Sequence, residues 1–355
     1  MLLWVGESFA RKGHEVVIYT ISSSQRMRHL APSCVFIDFE EKSKYNYKRT
    51  FHSFKNIFIK LEREIKNFQP DVILSFGDPA FYHGFLLKYF NKYKFIISER
   101  VDPYTNRSRN DVMRRKLYNL CDGAVFQTEK AQAFFSKQLQ ERSVVIPNPV
   151  KIKSDIIWQR KNTEEAVCFF GRFDMFQKRL DILLEAFAMT HQVFPDLRLD
   201  IYGSGNNSEE QRLIEMAEKL GIQDNVVFKG VSNHVLEDMR RYKALVFTSD
   251  YEGIPNIIIE AMSIGMPIVA TDCSPGGAAL LLNGGKNGIL VERRNPQKIS
   301  EGIIRMLMYP DLAEEYGYNA YNSLDRFDEN VIADLWEEYF KYMIGEENGF
   351  KNKNQ

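Results

Sequence analysis

No stretch of about 18 apolar residues occurs in the chain, so no segment reads as a helix spanning a bilayer core. The opening Met1-Leu2-Leu3-Trp4-Val5-Gly6-Glu7 lacks the basic start and small-residue cleavage site of a secretion signal. Cysteine is sparse: Cys34, Cys121, Cys168 and Cys273 stand far apart, with no Cys-x-x-Cys pair. That spacing argues against a zinc site or disulfide framework and suits a reducing, cytoplasmic compartment. Low-complexity segments and short repeats are missing. So is net charge, with 47 Lys+Arg against 47 Asp+Glu. What is present is ordinary globular composition, 44% hydrophobic and 26% charged, which excludes wholesale disorder and a collagen-like chain. At roughly 100–200 residues per domain, 355 residues predict two domains. The neutral total hides an asymmetry. Residues 1–150 carry 24 Lys+Arg and 15 Asp+Glu, a net of +9; residues 151–355 carry 23 and 32, a net of −9. A basic half suits nucleic acid, an anionic membrane, a phosphorylated substrate, or simply the other half, and composition does not choose.

Short β-branched and aromatic runs alternate with amphipathic stretches from end to end. Strands are predicted at 15–20, 35–39, 72–76, 95–98, 124–127 and 144–146, then at 166–170, 197–202, 226–229, 244–248, 268–271 and 289–291. Helices are clearest over 49–68, 109–120, 179–193 and 208–220. The strand runs are near-continuously apolar, the mark of parallel sheets buried on both faces. The alternation predicts an α/β protein with two doubly wound, Rossmann-like parallel-sheet domains. Ile146-Pro147-Asn148-Pro149-Val150 reads as the linker, because two closely spaced prolines stop both helix and sheet. The expected division is 1–150, 151–325, and a 326–355 segment holding a C-terminal helix that packs back towards the first domain, then a polar tail.

Two segments carry the chemistry. In Phe169-Phe170-Gly171-Arg172-Phe173-Asp174-Met175-Phe176-Gln177-Lys178-Arg179 a strand ends at Gly171 and a helix is expected near Lys178. The loop between holds Arg172 and Lys178 at the carboxyl end of a parallel strand, where ligands bind. Two cations there suit a phosphate or diphosphate; the bland alternative is a solvated loop. In Thr248-Ser249-Asp250-Tyr251-Glu252-Gly253-Ile254-Pro255-Asn256-Ile257-Ile258-Ile259-Glu260-Ala261 a strand ends, a turn follows, and Pro255 is expected in the first turn of a helix. The N–H groups of Asn256 to Ile258 would then form an anion site. Glu260 lies five residues beyond Pro255, about 7.5 Å along the axis at 1.5 Å per residue, and leans back towards the helix start. A nucleotide-sugar would place its diphosphate at the N–H groups, a ribose diol near Glu260 and its sugar near Glu252. The apolar neighbours Ile257, Ile258, Ile259, Ala261 and Met262 argue against Glu260 as a mere surface residue, since a carboxylate in a buried helix needs partners.

Gly171-Arg172 with Lys178 six residues after the arginine, and Glu252 and Glu260 with seven residues between, resemble the family-4 retaining glycosyltransferases of the GT-B fold. Lys12-Gly13-His14-Glu15-Val16, Pro147-Asn148-Pro149, Tyr202-Gly203-Ser204-Gly205, Ala270-Thr271-Asp272 and Pro275-Gly276-Gly277 match in order, over nearly the whole chain. The resemblance implies two domains facing across a cleft, the first binding acceptor and the second a nucleotide-sugar. It implies that Arg172 and Lys178 bind the donor diphosphate and stabilise the leaving group. Gly253, Ile254, Pro255, Asn256 and Ile257 would cradle phosphate and sugar, Glu260 would hold the ribose, and Glu252 would contact the transferred sugar. Catalysis would need no metal or other cofactor, and no Asp-x-Asp motif is present. Where many members have a histidine after an N-domain strand, this chain has Ser98-Glu99-Arg100, similar to members that build bacterial surface polysaccharides. These three are expected on the acceptor or sugar side.

The implied activity is transfer of a hexose or N-acetylhexosamine, from a UDP-sugar by expectation, to a lipid-linked or polysaccharide acceptor. Alternatives are a GT-B-type epimerase and a degenerate or truncated nucleotide-sugar-binding protein. Residues 42–66 hold eight Lys+Arg and two acids among Tyr45, Tyr47, Phe51, Phe54 and Phe58. That mixture suits an anionic membrane surface on the cytoplasmic side, against the plain reading of an ordinary helix with Phe54, Phe58 and Leu61 buried. Nucleic acid is not expected, and His14 and His191 are not expected in catalysis. The resemblance also implies a central strand and Gly-rich turn ahead of the helix read over Met1–Arg11, and neither stands there. The first domain is therefore expected to be marginal, with Val16–Tyr19 facing a gap.

Overall fold

The continuous apolar runs become parallel strands in the computed structural model, which describes residues 1–20, 28–38, 51–76, 78–90, 92–105, 108–150 and 154–346. The chain divides into two compact units. Met1–Val101, Asn106–Asn148 and Glu329–Gln355 form one, and Asp102–Thr105 with Pro149–Asp328 the other. The division after Asn148 falls inside the Pro-Asn-Pro linker.

In the first unit β1 (Val17–Thr20) and β2 (Val35–Asp38) pair with each other. Strands β3 (Val72–Phe76), β4 (Lys94–Ser98), β5 (Gly123–Phe126) and β6 (Ser143–Val145) form a four-stranded sheet in that order. Neighbours along β4 point into different cores. Phe95 and Ile97 join Ile57, Leu61 and Ile65 of the Phe51–Phe68 helix, whereas Ile96 joins Val5, Phe9 and Trp336. Two-sided burial is why Phe95-Ile96-Ile97 does not alternate with polar residues. Among the described residues β1 pairs with β2, and β3 pairs with β4 alone. On the Phe51–Phe68 helix Leu61 is buried and Phe58 partly so, while Lys55, Ile59, Lys60 and Arg63 are exposed. Lys44, Lys48, Tyr45 and Tyr47 lie outside the described residues. The Glu329–Ile344 helix is fixed by close fit. Tyr339 Oη accepts from Ala124 N at 3.0 Å and donates to Arg142 O at 2.7 Å, and a Cβ on Gly123 would lie 2.3 Å from that oxygen.

The second unit holds β7 (Ala166–Phe170), β8 (Arg198–Tyr202), β9 (Val226–Gly230), β10 (Leu245–Phe247), β11 (Ile268–Thr271) and β12 (Ile289–Val291). Their order across the sheet is β12-β11-β10-β7-β8-β9, all pairs parallel. This is a doubly wound sheet, and the winding reverses between β7 and β10. Successive residues again face separate cores, Cys168 and Phe170 on one side, Val167 and Phe169 on the other. In such sheets ligands bind outside the carboxyl ends of the strands at the reversal. The two loops there are the segments that hold Arg172 with Lys178, and Glu252 with the approach to Glu260.

Candidate functional site

The loop after β7 runs to a helix that spans Leu180–Val193, two residues later than the start expected near Lys178. Arg179 is the reason: its φ of 55° is left-handed backbone, which costs a residue with a Cβ roughly 1–2 kcal/mol and cannot continue a helix. The loop is tightly held. Asp174 Oδ1 accepts from Phe176 N at 2.9 Å and Gln177 N at 2.8 Å, and Asp174 O accepts from Lys178 N at 3.0 Å. The loop after β10 leads to the Asn256–Ser263 helix. Pro255 is its N-cap, at φ −74° and ψ 111°, and not a first-turn residue as expected. Ile258 N also turns back onto Pro255 O at 3.2 Å. The expected set of three anion-binding N–H groups therefore reduces to Asn256 and Ile257, which have no upstream helical carbonyl to meet.

A cavity of about 560 Å³ opens between these loops, and Arg172, Lys178, Glu252, Ile254, Pro255, Asn256, Ile257 and Glu260 all line it. Gly253 lies behind the wall, where a Cβ on Gly277 would come within 1.9 Å of its carbonyl oxygen. The lining is completed by Gly203 and Ser204 after β8, Val231 and Ser232 after β9, and the Phe170–Tyr202 pair, whose rings stack at 4.3 Å. Gly203 has a φ of 139°, and a Cβ there would sit 1.8 Å from Gly171 O, so glycine lets two loops touch. Gly203 and Ser204 stood in the Tyr202-Gly203-Ser204-Gly205 match, whereas Val231 and Ser232 were not singled out, because a Val-Ser pair in a loop gives no signal.

Lys178 and Glu252, expected to meet different parts of one ligand, meet each other, with Nζ and Oε1 2.5 Å apart and side chains 14% and 18% exposed. Arg172 is exposed, and its Nη2 reaches Gln177 Oε1 at 3.3 Å. Glu260 is half-buried; burial pushes its carboxyl above the ordinary carboxylate range, and no cation offsets the shift. The arrangement can accept a doubly negative group at the cations and helix N-terminus, and hydroxyl donors at Glu260. Among the described residues no group of three His, Cys, Asp or Glu side chains converges as a metal site.

In the first unit the Ser98-Glu99-Arg100 triplet divides. Ser98 Oγ accepts from Arg100 Nε at 2.7 Å, and Arg100 Nη1 donates to Ile146 O at 3.1 Å. The guanidinium lies 5.4 Å over the Trp336 ring, and burial lowers its pKa to about 9. Glu99, expected on the acceptor or sugar side, is buried. It accepts from Tyr118 Oη at 3.1 Å and pairs with Arg114 and Arg115 at 3.5 and 3.7 Å. Desolvation raises its pKa, and Arg115 works in the opposite direction.

Two family models match the chain. The one described as Glycosyltransferase Family 4 covers residues 5–154, and Glycosyl transferases group 1 covers residues 151–323. An exopolysaccharide phosphotransferase of Streptomyces coelicolor is 29% identical over 63% of this chain. The chain spans only 24% of that protein, and 65% of an uncharacterized glycosyltransferase of Methanocaldococcus jannaschii that is 27% identical over 68% of this chain. The N-acetylgalactosamine-N,N'-diacetylbacillosaminyl-diphospho-undecaprenol 4-alpha-N-acetylgalactosaminyltransferase of Campylobacter jejuni is 24% identical over 92% of this chain and 91% of its own. Among solved structures, Anabaena HepE in complex with UDP is similar in fold, with a TM-score of 0.76 at 17% identity over 96% of this chain and 95% of that one.

Proposed function

The chain belongs to glycosyltransferase family 4 and has the GT-B fold, and on that premise we propose that it moves a hexose or N-acetylhexosamine from a UDP-sugar to a lipid-linked or polysaccharide acceptor, with retention at the anomeric carbon. The observation that carries the donor assignment is the cavity at the β7/β10 reversal, with Arg172, Lys178 and the Asn256–Ser263 N-terminus at hand for phosphate and half-buried Glu260 for a ribose diol. In the reaction the bond from the anomeric carbon to the diphosphate oxygen breaks, and the acceptor hydroxyl oxygen bonds to that carbon. The hydroxyl proton leaves with the diphosphate. Negative charge builds on the leaving group, where two cations and two N–H groups stabilise it without reorganising. On this reading no metal is needed, and turnover in excess EDTA is expected to equal the untreated rate.

The acceptor class follows relatives whose names specify diphospho-undecaprenol and poly(ribitol-phosphate) acceptors. A lipid-linked acceptor suits a protein that docks on the cytoplasmic face of a membrane; no described helix is long and apolar enough to cross one. Calorimetry with UDP and GDP tests the donor site. Lys178→Ala and Glu260→Ala should each weaken binding by roughly 1.5–3 kcal/mol as charged hydrogen bonds are lost. Unchanged affinity in both variants would remove the assignment. Turnover of a UDP-sugar panel, with product anomers read by NMR, separates transfer from epimerisation and from binding alone.

A further inference from the structure

Arg179 and Arg294 are two of the four described non-glycine residues at positive φ, 55° and 59°. Both grip one oxygen: Arg179 Nη1 lies 3.2 Å and Arg294 Nε 2.7 Å from Asp250 Oδ2. Asp250 is 2% exposed, and its other carboxylate oxygen has no hydrogen-bond partner, so the hold on the side chain passes through Oδ2. The three residues come from three loops. Arg179 closes the loop after β7 that carries Arg172 and Lys178. Asp250 stands two residues before Glu252 in the loop after β10, and Arg294 belongs to the loop after β12. The Asp250 backbone is tied as firmly. Its N–H donates to Gln177 O at 2.8 Å, and its carbonyl accepts from Ser274 N at 2.9 Å and Arg293 Nη1 at 2.8 Å. Thr248 Oγ1 donates to Lys178 O at 2.8 Å, and Arg179 also forks onto Asp181.

Left-handed backbone at a residue with a Cβ persists only where its surroundings over-determine it. Without its grip, Arg179 would return to negative φ, and that rotation would swing the residue before it, Lys178. We infer that Asp250, with Arg179 and Arg294, is a positioning device that places Lys178 at the diphosphate end of the cavity, where Glu252 is its partner in the absence of ligand, while touching no substrate itself. Its functional consequence rests on the donor-site reading; its structural content does not.

The discriminating comparison is Arg179→Gly against Arg179→Ala. Both lack the guanidinium, but glycine takes a φ of +55° without steric cost and alanine does not. In crystals grown without ligand, Lys178 Nζ should stay on Glu252 in the native protein and in Arg179→Gly. In Arg179→Ala it should move beyond about 4 Å, outside ion-pair reach. With UDP as the probe in calorimetry, Arg179→Gly should bind within about threefold of native, and Arg179→Ala and Asp250→Asn at least about tenfold more weakly. Lys178 unmoved in the Arg179→Ala crystal, or glycine and alanine variants alike in both measurements, would overturn the inference. If Asp250→Asn does not fold, the Arg179 pair still decides. Lys178→Ala separates the two ideas: UDP affinity unchanged in that variant would count against the donor site, and the crystal comparison would still decide the positioning.

Discussion

Lys178 cannot serve a diphosphate while it is held on Glu252 at 2.5 Å, so a phosphate entering the cavity must compete with a carboxylate. Replacing that carboxylate with a neutral isostere removes both the competitor and a repulsive charge. Glu252→Gln is therefore expected to bind UDP as tightly as native or up to about tenfold more tightly, and to turn over a UDP-sugar more slowly. Calorimetry beside a turnover assay checks both; weaker UDP binding would make Glu252 a guide for Lys178 and not a rival. At Gly203 the constraint is steric. Gly203→Ala would drive a Cβ to 1.8 Å from Gly171 O at a φ of 139°, and should cost on the order of 3 kcal/mol or more in denaturant unfolding. Residues such as Arg172, Lys178, Glu252 and Glu260 were legible in the sequence because charges at fixed spacing fell on predicted strand-to-helix loops. The partners of Glu99 were not, because nothing in its own neighbourhood announces Arg114, Arg115 and Tyr118. Asp250 was passed over for the same reason, since its partners Arg179 and Arg294 lie 71 and 44 residues away.

Strands were readable to within two residues, because burial on both faces writes itself as a continuous apolar run, while the helix expected over 109–120 ends at Leu117 and tightens into a 3-10 turn over Tyr118–Leu120. Boundaries moved where a single backbone angle intervened, as at Arg179, or where a cap replaced a first turn, as at Pro255. The C-terminal helix was expected to pack back towards the first domain, but sequence could not supply which side chains make such contacts. Lys12, just beyond the Leu2–Arg11 helix, reaches Asp334 at 2.5 Å and Glu337 at 2.6 Å on the Glu329–Ile344 helix, and Lys341 adds a 2.7 Å contact to Glu337. Hydrogen bonds from Lys12 and Lys341 hold the Glu337 carboxyl down to about 2. A carboxylate depressed on folding contributes stability above its unfolded value, and that contribution is lost as pH falls towards the folded one. The contribution is about 1 kcal/mol, since solvent reaches the pair. Native protein should thus melt above Glu337→Gln at pH 5–7, and the gap should close as pH falls from 4.5 towards 2. A gap independent of pH would assign Glu337 to packing instead. A second expectation at this scale concerns β3, which among the described residues pairs only with β4: its amides should exchange with solvent before those of β4 and β5, which are paired on both sides.

Charge is the property that belongs to the whole molecule. With the C-terminal helix and tail counted in, the first unit holds 27 Lys+Arg against 20 Asp+Glu, a net of +7, and the second unit carries the opposite sign. Basic residues are exposed together on the Phe51–Phe68 helix at Lys55, Lys60 and Arg63, with Ile59 among them at 51% exposure, so cationic heads and an apolar side chain share one surface. That combination fits the headgroup region of an anionic bilayer, where attraction by charge and burial of an apolar group add. Attraction of this kind reaches about 8 Å at physiological ionic strength and about 3 Å at 1 M salt. Co-sedimentation with anionic vesicles should therefore be strong in low salt and fall steeply as salt rises. Replacing Lys44, Lys48, Lys55 and Lys60 with glutamate should abolish it while leaving UDP affinity in the second unit unchanged. Equal binding to neutral vesicles would move the interaction from charge to apolar contact, and no binding at any salt would leave the asymmetry without a membrane role.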